Sequence, residues 1–224
     1  MRSALIGALA LLAACAPKTT PENNAPEDKA APADASAIPA GDYALDKSHA
    51  SLVFRVNHIG FSMYTASFAD FDAALRLDPK NPGAASVTAR IDPASLTLPA
   101  PPEGFKATLL GPDWLDAGAY PEISFRSTDI DVTAPNAATV KGELTLHGQT
   151  KPVSFEAVYN GGYKGLAQYD PRARVGFSAH GTLKRSDFGV SLGIPEPGST
   201  MGVFDDVSFA IEAEFMGPPL APEE

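Results

Sequence analysis

Ser51-Leu52-Val53-Phe54-Arg55-Val56-Asn57-His58 is the stretch that decides the fold. Leu52, Phe54, Val56 and His58 share one face of an extended chain, and Ser51, Val53, Arg55 and Asn57 share the other. Side chains of a strand point alternately to its two faces, so this period of two marks a strand with one side turned inward. The pattern recurs. Phe71, Ala73, Leu75 and Leu77 alternate with Asp72, Ala74, Arg76 and Asp78, and Val87, Ala89 and Ile91 with Thr88, Arg90 and Asp92. Val140, Gly142, Leu144 and Leu146 form a further series. Val175, Phe177 and Ala179 form another, as do Val207, Phe209, Ile211, Ala213 and Phe215. Shorter runs begin at Ile123 and Val153, and Gly, Pro, Asn and Asp separate the runs. About eight such strands predict an all-β domain, a closed antiparallel barrel or a sandwich. Glu103 to Leu115 is the one helical stretch, with Phe105, Leu109 and Leu110 on one face and Gly111-Pro112 as an interruption.

The domain is expected to span residues 41–217, between two segments of different character. Residues 1–14 carry Arg2 and then an unbroken run of apolar or small residues, the pattern of a secretion signal and too short to span a bilayer as a mature helix. The run ends in Leu12-Ala13-Ala14-Cys15, which resembles the bacterial lipobox and predicts lipidation of Cys15, the only cysteine of the chain. Ala16 follows the cysteine, so by resemblance no inner-membrane retention signal is present and an outer-membrane anchor facing the periplasm is expected. Residues 15–40, rich in Ala and Pro and without an aromatic residue before Tyr43, read as a tether, and residues 218–224 as a loose tail. A single cysteine makes no internal disulfide, so stability rests on the apolar core. With 27 acidic against 17 basic side chains, the chain has no broad basic surface for nucleic acid.

The usual catalytic signatures are missing: no G-x-S-x-G, P-loop, H-E-x-x-H or dinucleotide fingerprint occurs. His49, His58, His147 and His180 lie far apart in sequence, with no short metal-ligand spacing, so no metal or catalytic residue is assigned. His58 shares an apolar face with Phe54 and Val56 and reads as a hydrogen-bonded structural histidine, with ligand contact as its other reading. His147 and His180 read as solvated. In Lys184-Arg185-Ser186-Asp187-Phe188-Gly189 the Asp187 carboxylate is placed to pair with a guanidinium and shape a strand end. Gly189 to Gly202 reads as a long loop at one barrel mouth. If the phase is right, the small inward residues Ala73, Ala89, Gly142, Ala179 and Ala213 leave a channel beside the large ones. An alkyl or isoprenoid chain suits such a channel, because each buried CH₂ contributes roughly 0.8 kcal/mol.

The segments in order also resemble a known family. Tyr43-Ala44-Leu45-Asp46-Lys47-Ser48-His49-Ala50 runs into Leu52-Val53-Phe54-Arg55-Val56-Asn57-His58-Ile59-Gly60-Phe61-Ser62. Asp113-Trp114-Leu115-Asp116, Tyr120-Pro121-Glu122-Ile123-Ser124-Phe125, Gly142-Glu143-Leu144-Thr145-Leu146-His147-Gly148-Gln149-Thr150-Lys151-Pro152-Val153 and Arg185-Ser186-Asp187-Phe188-Gly189 follow. This set resembles the YceI-like family of lipocalin-like periplasmic proteins, also called polyisoprenoid-binding proteins, over about Tyr43 to Phe215. The resemblance implies an eight-stranded antiparallel lipocalin-like barrel with a short helical segment. It also implies a deep apolar channel holding a polyisoprenoid or quinone-type lipid, with no other cofactor. Two departures, Ala66 where the family usually has Gly and Phe105-Lys106-Ala107-Thr108-Leu109 where it often has a histidine-containing helix start, fall at the channel wall and mouth. The expected ligand-binding residues are Phe54, Val56, His58, Phe71, Leu75, Leu109, Trp114, Leu115, Phe125, Phe177 and Phe209. The expected role is a non-catalytic lipid carrier, its partners being the lipid, a membrane reached through Cys15, and a second copy in a homodimer left open. The alternatives are a solid-core accessory module of a membrane redox or stress-response complex, and an enzyme using His58 or Asp187 on a lipid.

Overall fold

The computed structural model describes residues 37–220. Ten strands form one antiparallel sheet: β1 (Gly41–His58), β2 (Ser62–Phe68), β3 (Phe71–Leu77), β4 (Ser86–Ile91), β5 (Leu96–Thr97), β6 (Ile123–Ala134), β7 (Ala137–Leu146), β8 (Gln149–Tyr163), β9 (Arg172–Lys184) and β10 (Val203–Pro219). Neighbours run in the order β10-β9-β8-β7-β6-β4-β3-β1, and β1 pairs with β10 to close the ring. Because β2 continues into β3 and β4 into β5, the wall has eight staves, and the β1–β10 pairing closes them into a ring. Among the described residues one α-helix, α1 (Phe105–Leu110), occupies the predicted helical stretch and stops at Gly111.

The register explains the closure. Phe54 lies opposite Phe209 of β10 on one side and Ala66 of β2 on the other, so the inward face of β1 continues into both neighbours. Large rings fit there because glycines lie beneath them. The ring of Phe125 occupies the space a side chain at Gly142 would need, the rings of Phe155 and Phe209 that of Gly181, and the ring of Tyr43 that of Gly217. Gly142 therefore accommodates Phe125 and adds no room to a channel, unlike the alanines grouped with it on sequence.

A line of irregularities crosses three adjacent staves at one level. In β1 the pairing with β10 jumps between Leu45 and Ala50. The second stave breaks at Ala69-Asp70, and the third turns through a short 3₁₀ stretch, Pro93–Ser95. Hydrogen bonds from Ala69 N to Ser95 O (3.2 Å) and Asp92 N to Asp70 O (3.0 Å) hold the last two together. Such bulges bend a strand and sharpen its twist. Beyond this line β2 has only Leu96 and Thr97 of β5 on its outer edge, and residues 98–122, including α1, supply wall between there and β6.

We call the end where β1 begins and β10 ends the basal end, and the opposite end, with the turns at Ile59–Phe61 and His147–Gly148, the apical end. At the basal end Ile38, Tyr43, Leu45, Leu75, Ala173, Val175, Ala213 and Phe215 form a buried cluster. Ile38 lies in the expected tether, yet it is 5% exposed, and Pro39 accepts a 2.6 Å hydrogen bond from the Tyr43 hydroxyl. The folded unit therefore starts before Gly41. It also ends later than expected: β10 runs through Pro219, and Leu220 N donates to Pro171 O (2.7 Å). Cys15, the signal and most of the tether lie outside the described residues.

Candidate functional site

Inside the barrel runs a cavity of about 740 Å³, within the usual range for small-molecule sites. All eleven expected ligand residues stand on its wall. Phe54, Val56 and His58 come from β1, Phe71 and Leu75 from β3, Phe125 from β6, Phe177 from β9 and Phe209 from β10. Leu109 of α1, with Trp114 and Leu115 just after it, forms wall where residues 98–122 replace strand pairing. The hollow arises where small residues face small residues across the pairing. Ala73 is directly opposite Ala89, and Ala157 directly opposite Ala179. The interior is therefore not filled, which removes the premise of a solid-core module.

The wall meets exposed residues at both ends. At the basal end these are Pro82, Ala134, Pro135 and Asn136. At the apical end His58 is exposed, so it is a mouth residue and not a buried structural histidine. Four apolar side chains stand out at the apical end: Phe61 (83% exposed), Leu192 and Met201 from loops, and Met63 from the start of β2. Hydrogen bonds from Ile59 N to Gly202 O and from Val203 N to Gly193 O (both 2.8 Å) tie the β1–β2 turn and the loop before β10 together. That loop, Gly189 to Gly202, sits at the apical mouth as its composition predicts.

Two polar groups on the wall were not singled out from sequence. Among the described residues Arg185 is the only charged side chain lining the cavity, and it is 5% exposed. Its Nε donates to Phe204 O (3.0 Å), Nη1 to Val190 O (2.8 Å), and Nη2 to Leu192 O (2.9 Å) and Val203 O (2.7 Å). Its guanidinium carbon lies 5.2 Å from the centre of the Trp114 ring. Burial pushes this guanidinium down from its ordinary pKa, with Asp205 opposing. The signal was present in the sequence: the inward phase of β9, Val175, Phe177, Ala179, continues to Leu183 and lands on Arg185. The same logic extends Val153 and Phe155 of β8 to Tyr159. The Tyr159 hydroxyl is buried with no hydrogen-bond partner among the described residues, and burial raises its pKa. Burial, with Tyr159 adding to it, pushes Tyr43 up to about 12.

The cluster at Lys184–Gly189 differs from expectation. Asp187 is exposed and makes no side-chain hydrogen bond or ion pair among the described residues. The carboxylate that shapes this turn is Asp205, which accepts from Ser186 N (2.9 Å) and Ser186 Oγ (2.8 Å) and lies 3.6 Å from Lys184 Nζ. His147 is not simply solvated. Its Nδ1 is 3.1 Å from Phe188 O, and its ring meets Tyr120 edge-on at 5.1 Å. On the outside of the basal end, Asp46, His49 and Glu214 converge as metal ligands would. Arg174 already occupies that space, pairing with Asp46 (2.6 Å), Asp170 (2.8 Å) and Glu214 (3.3 Å). Hydrogen bonds from Ser48, Arg174 and His49 hold the Asp46 carboxyl well below the usual range.

This architecture, an eight-stave barrel with an apolar interior, has known relatives. The profile of the YceI-like domain matches residues 43–215. The chain belongs to the YceI-like domain family. Among YceI-like relatives, a UPF0312 protein of Pseudomonas savastanoi pv. phaseolicola is 36% identical over 176 residues, 76% of this chain and 85% of that protein. A UPF0312 protein of Vibrio cholerae is 36% identical over 157 residues, 68% of this chain and 79% of that protein. In three dimensions it resembles BcnA of Burkholderia cenocepacia, with a TM-score of 0.63 and 25% identity over 76% of this chain and 98% of that one. A polyisoprenoid binding domain from Saccharophagus degradans shares the fold at a TM-score of 0.58 and 12% identity, over 80% of this chain and all of that domain (100%).

Proposed function

We propose that this YceI-like protein is a non-catalytic lipid carrier or reservoir of the cell envelope that holds a long-chain isoprenoid or related lipid inside the barrel. The observation that carries the reading is the cavity: a continuous apolar interior whose only charged lining residue among the described ones is Arg185. Such a space recognises chain and excludes polar solutes. Burying a chain of some fifteen methylenes gains on the order of 10 kcal/mol before the cost of association is subtracted. The structural neighbour described as a polyisoprenoid binding domain shares this barrel and lends the ligand class support. Catalysis on the lipid has no comparable support. His58 sits at the mouth and Asp187 on the surface, and no hydrogen bond joins either to a second acid, base or nucleophile among the described residues. Placement outside the cytoplasm, with an anchor at Cys15 in the outer membrane, rests on the sequence of residues 1–16 and is part of the same proposal.

Native mass spectrometry of protein purified without detergent tests it. A mass adduct released on denaturation and identified as an isoprenoid or acyl lipid is the expected result. A bare protein mass that fails to shift with added quinone or polyprenol would overturn the proposal. The anchor is tested separately by metabolic labelling with a clickable fatty acid in the wild type and in Cys15→Ser, where label surviving the substitution would refute it.

A further inference from the structure

Arg185 is a buried charge that makes no ion pair among the described residues; the Asp205 carboxylate acts on it only at longer range. Moving an ion out of water is costly unless it is paired, and a buried cation without a counter-ion is among the more expensive things a fold can contain. Four backbone carbonyls solvate this guanidinium, but they carry no net charge. Of its five N–H groups, the second on Nη1 has no acceptor among the described residues. The nearby carboxylate, Asp205, is committed to Ser186 and Lys184. The guanidinium carbon lies over the Trp114 ring, which offers quadrupole attraction but no anion. Both side chains line the apical part of an otherwise apolar cavity. His58, whose strand partner is Val203, adds an imidazole at the same end, and Arg185 donates to the carbonyl of that same Val203.

We propose that Arg185 and Trp114 form a head-group site selecting lipids that end in an anionic oxygen group, a carboxylate or a phosphate. The head binds at the apical end and the chain runs toward the basal cluster. This rests on the carrier reading and deepens it: the cavity supplies affinity for chain, and Arg185 supplies polarity and direction. The free Nη1–H gives the anion a charge-assisted hydrogen bond, the strong kind, in a place that water reaches poorly. Its four bonds to residues 190–204 hold the guanidinium in position before the ligand arrives, so little freedom remains to be lost on binding.

Trp114 is the only tryptophan in the chain, so its fluorescence reports on this site alone. The full-length protein is titrated at neutral pH with hexadecanoic acid, hexadecyl phosphate and hexadecan-1-ol, which share one chain and differ in the head. The acidic lipids should bind at least about tenfold more tightly than the alcohol, the difference expected for one hydrogen bond to a charged group. The tighter of the two acids then names the head group. Brominated probes give the direction. α-Bromohexadecanoic acid, with its quencher beside the carboxylate, should quench Trp114 strongly, and ω-bromohexadecanoic acid should quench it weakly. Equal affinity for acid and alcohol, or stronger quenching by the ω-bromo chain, would overturn the head-group site while leaving the carrier reading intact. No binding of any of these chains would overturn the head-group site, and the carrier reading would then stand or fall on polyprenol and quinone in the native mass spectrum. Arg185→Met adds a second readout if it keeps the wild-type circular dichroism: affinity for the acids should fall to that for the alcohol, which itself should not change. Should this variant unfold, the wild-type titrations still decide.

Discussion

The basal cluster and the cavity are built by the same alternating strands and share residues: Leu45, Leu75 and Phe215 turn one side to the hollow, while Tyr43, Ala173 and Val175 stand outside its lining and are fully packed. In the cluster a large ring is set against a residue with little or no side chain, as Tyr43 is against Gly217. Val175 and Phe215 close around it, and Tyr43 is 1% exposed. In the cavity wall small residues oppose each other, Ala73 against Ala89 and Ala157 against Ala179, so neither strand fills the space the other leaves. Apolar character does not separate the two regions. Nor does a ring set over a glycine, which the cavity wall repeats at Phe125 over Gly142 and Phe209 over Gly181; the hollow lies where small residues face each other and neither strand supplies a ring.

The comparison can be broken most decisively at Tyr43. Tyr43→Ala should lower unfolding free energy by about 3–5 kcal/mol, since it opens a void in a packed region and removes the hydrogen bond to Pro39 O. Urea titration followed by circular dichroism measures it, and a loss below about 1 kcal/mol would mean that the cluster is no better packed than the cavity. Asp46→Asn should cost about 2 kcal/mol at neutral pH by weakening the bonds to Arg174, Ser48 and His49. Its sign with pH is fixed. The folded-state pKa of Asp46 lies below the unfolded value, so the carboxylate's contribution is fully present above about pH 4. It is lost as pH falls through the lower folded value. The gap between wild type and variant in a pH series should close on acidification. A gap that widened there would show that Arg174 does not set this site.

Phe54→Ala should cost only about 1–2 kcal/mol, because one side of the ring already faces empty space and has few contacts to lose. A loss equal to that of Tyr43→Ala would erase the contrast between the regions. The smallest effect on stability is expected from Ala179→Phe, which places a ring in the hollow opposite Ala157 and should change unfolding free energy by less than about 1 kcal/mol. The same substitution should abolish the lipid adduct in native mass spectrometry. Retained lipid with unchanged stability would mean that this part of the cavity is not where the chain lies.

Much of this was legible in the sequence, and the exceptions share a cause. Period two gave the strands, the inward faces and the small residues that leave the hollow, because a strand's alternation is local. The two breaks in the second and third staves were not legible, because Ala69-Asp70 and Pro93–Ser95 look like ordinary turns until they prove to lie side by side. Ile38 was hidden by its neighbours, a lone apolar residue in a Pro- and Ala-rich run that packs against strands far along the chain. Asp187 is the carboxylate nearest to Arg185 in sequence, whereas the one that shapes the turn, Asp205, is brought to Ser186 by β10 from 19 residues away. Arg185 itself was reachable by carrying the β9 phase past the last apolar residue, but a charge at an inward position reads as the end of a strand.

The seam between β1 and β10 has a mechanical meaning. The two strands are antiparallel neighbours, joined from Ala44↔Met216 to His58↔Val203, and their outer ends lie together at the basal end. Force applied between Gly41 and Pro219 therefore pulls across the hydrogen bonds and loads them one after another, as in opening a zip, instead of shearing them all at once. The barrel should thus part under modest tension along this one line, beginning at the end that holds the buried cluster.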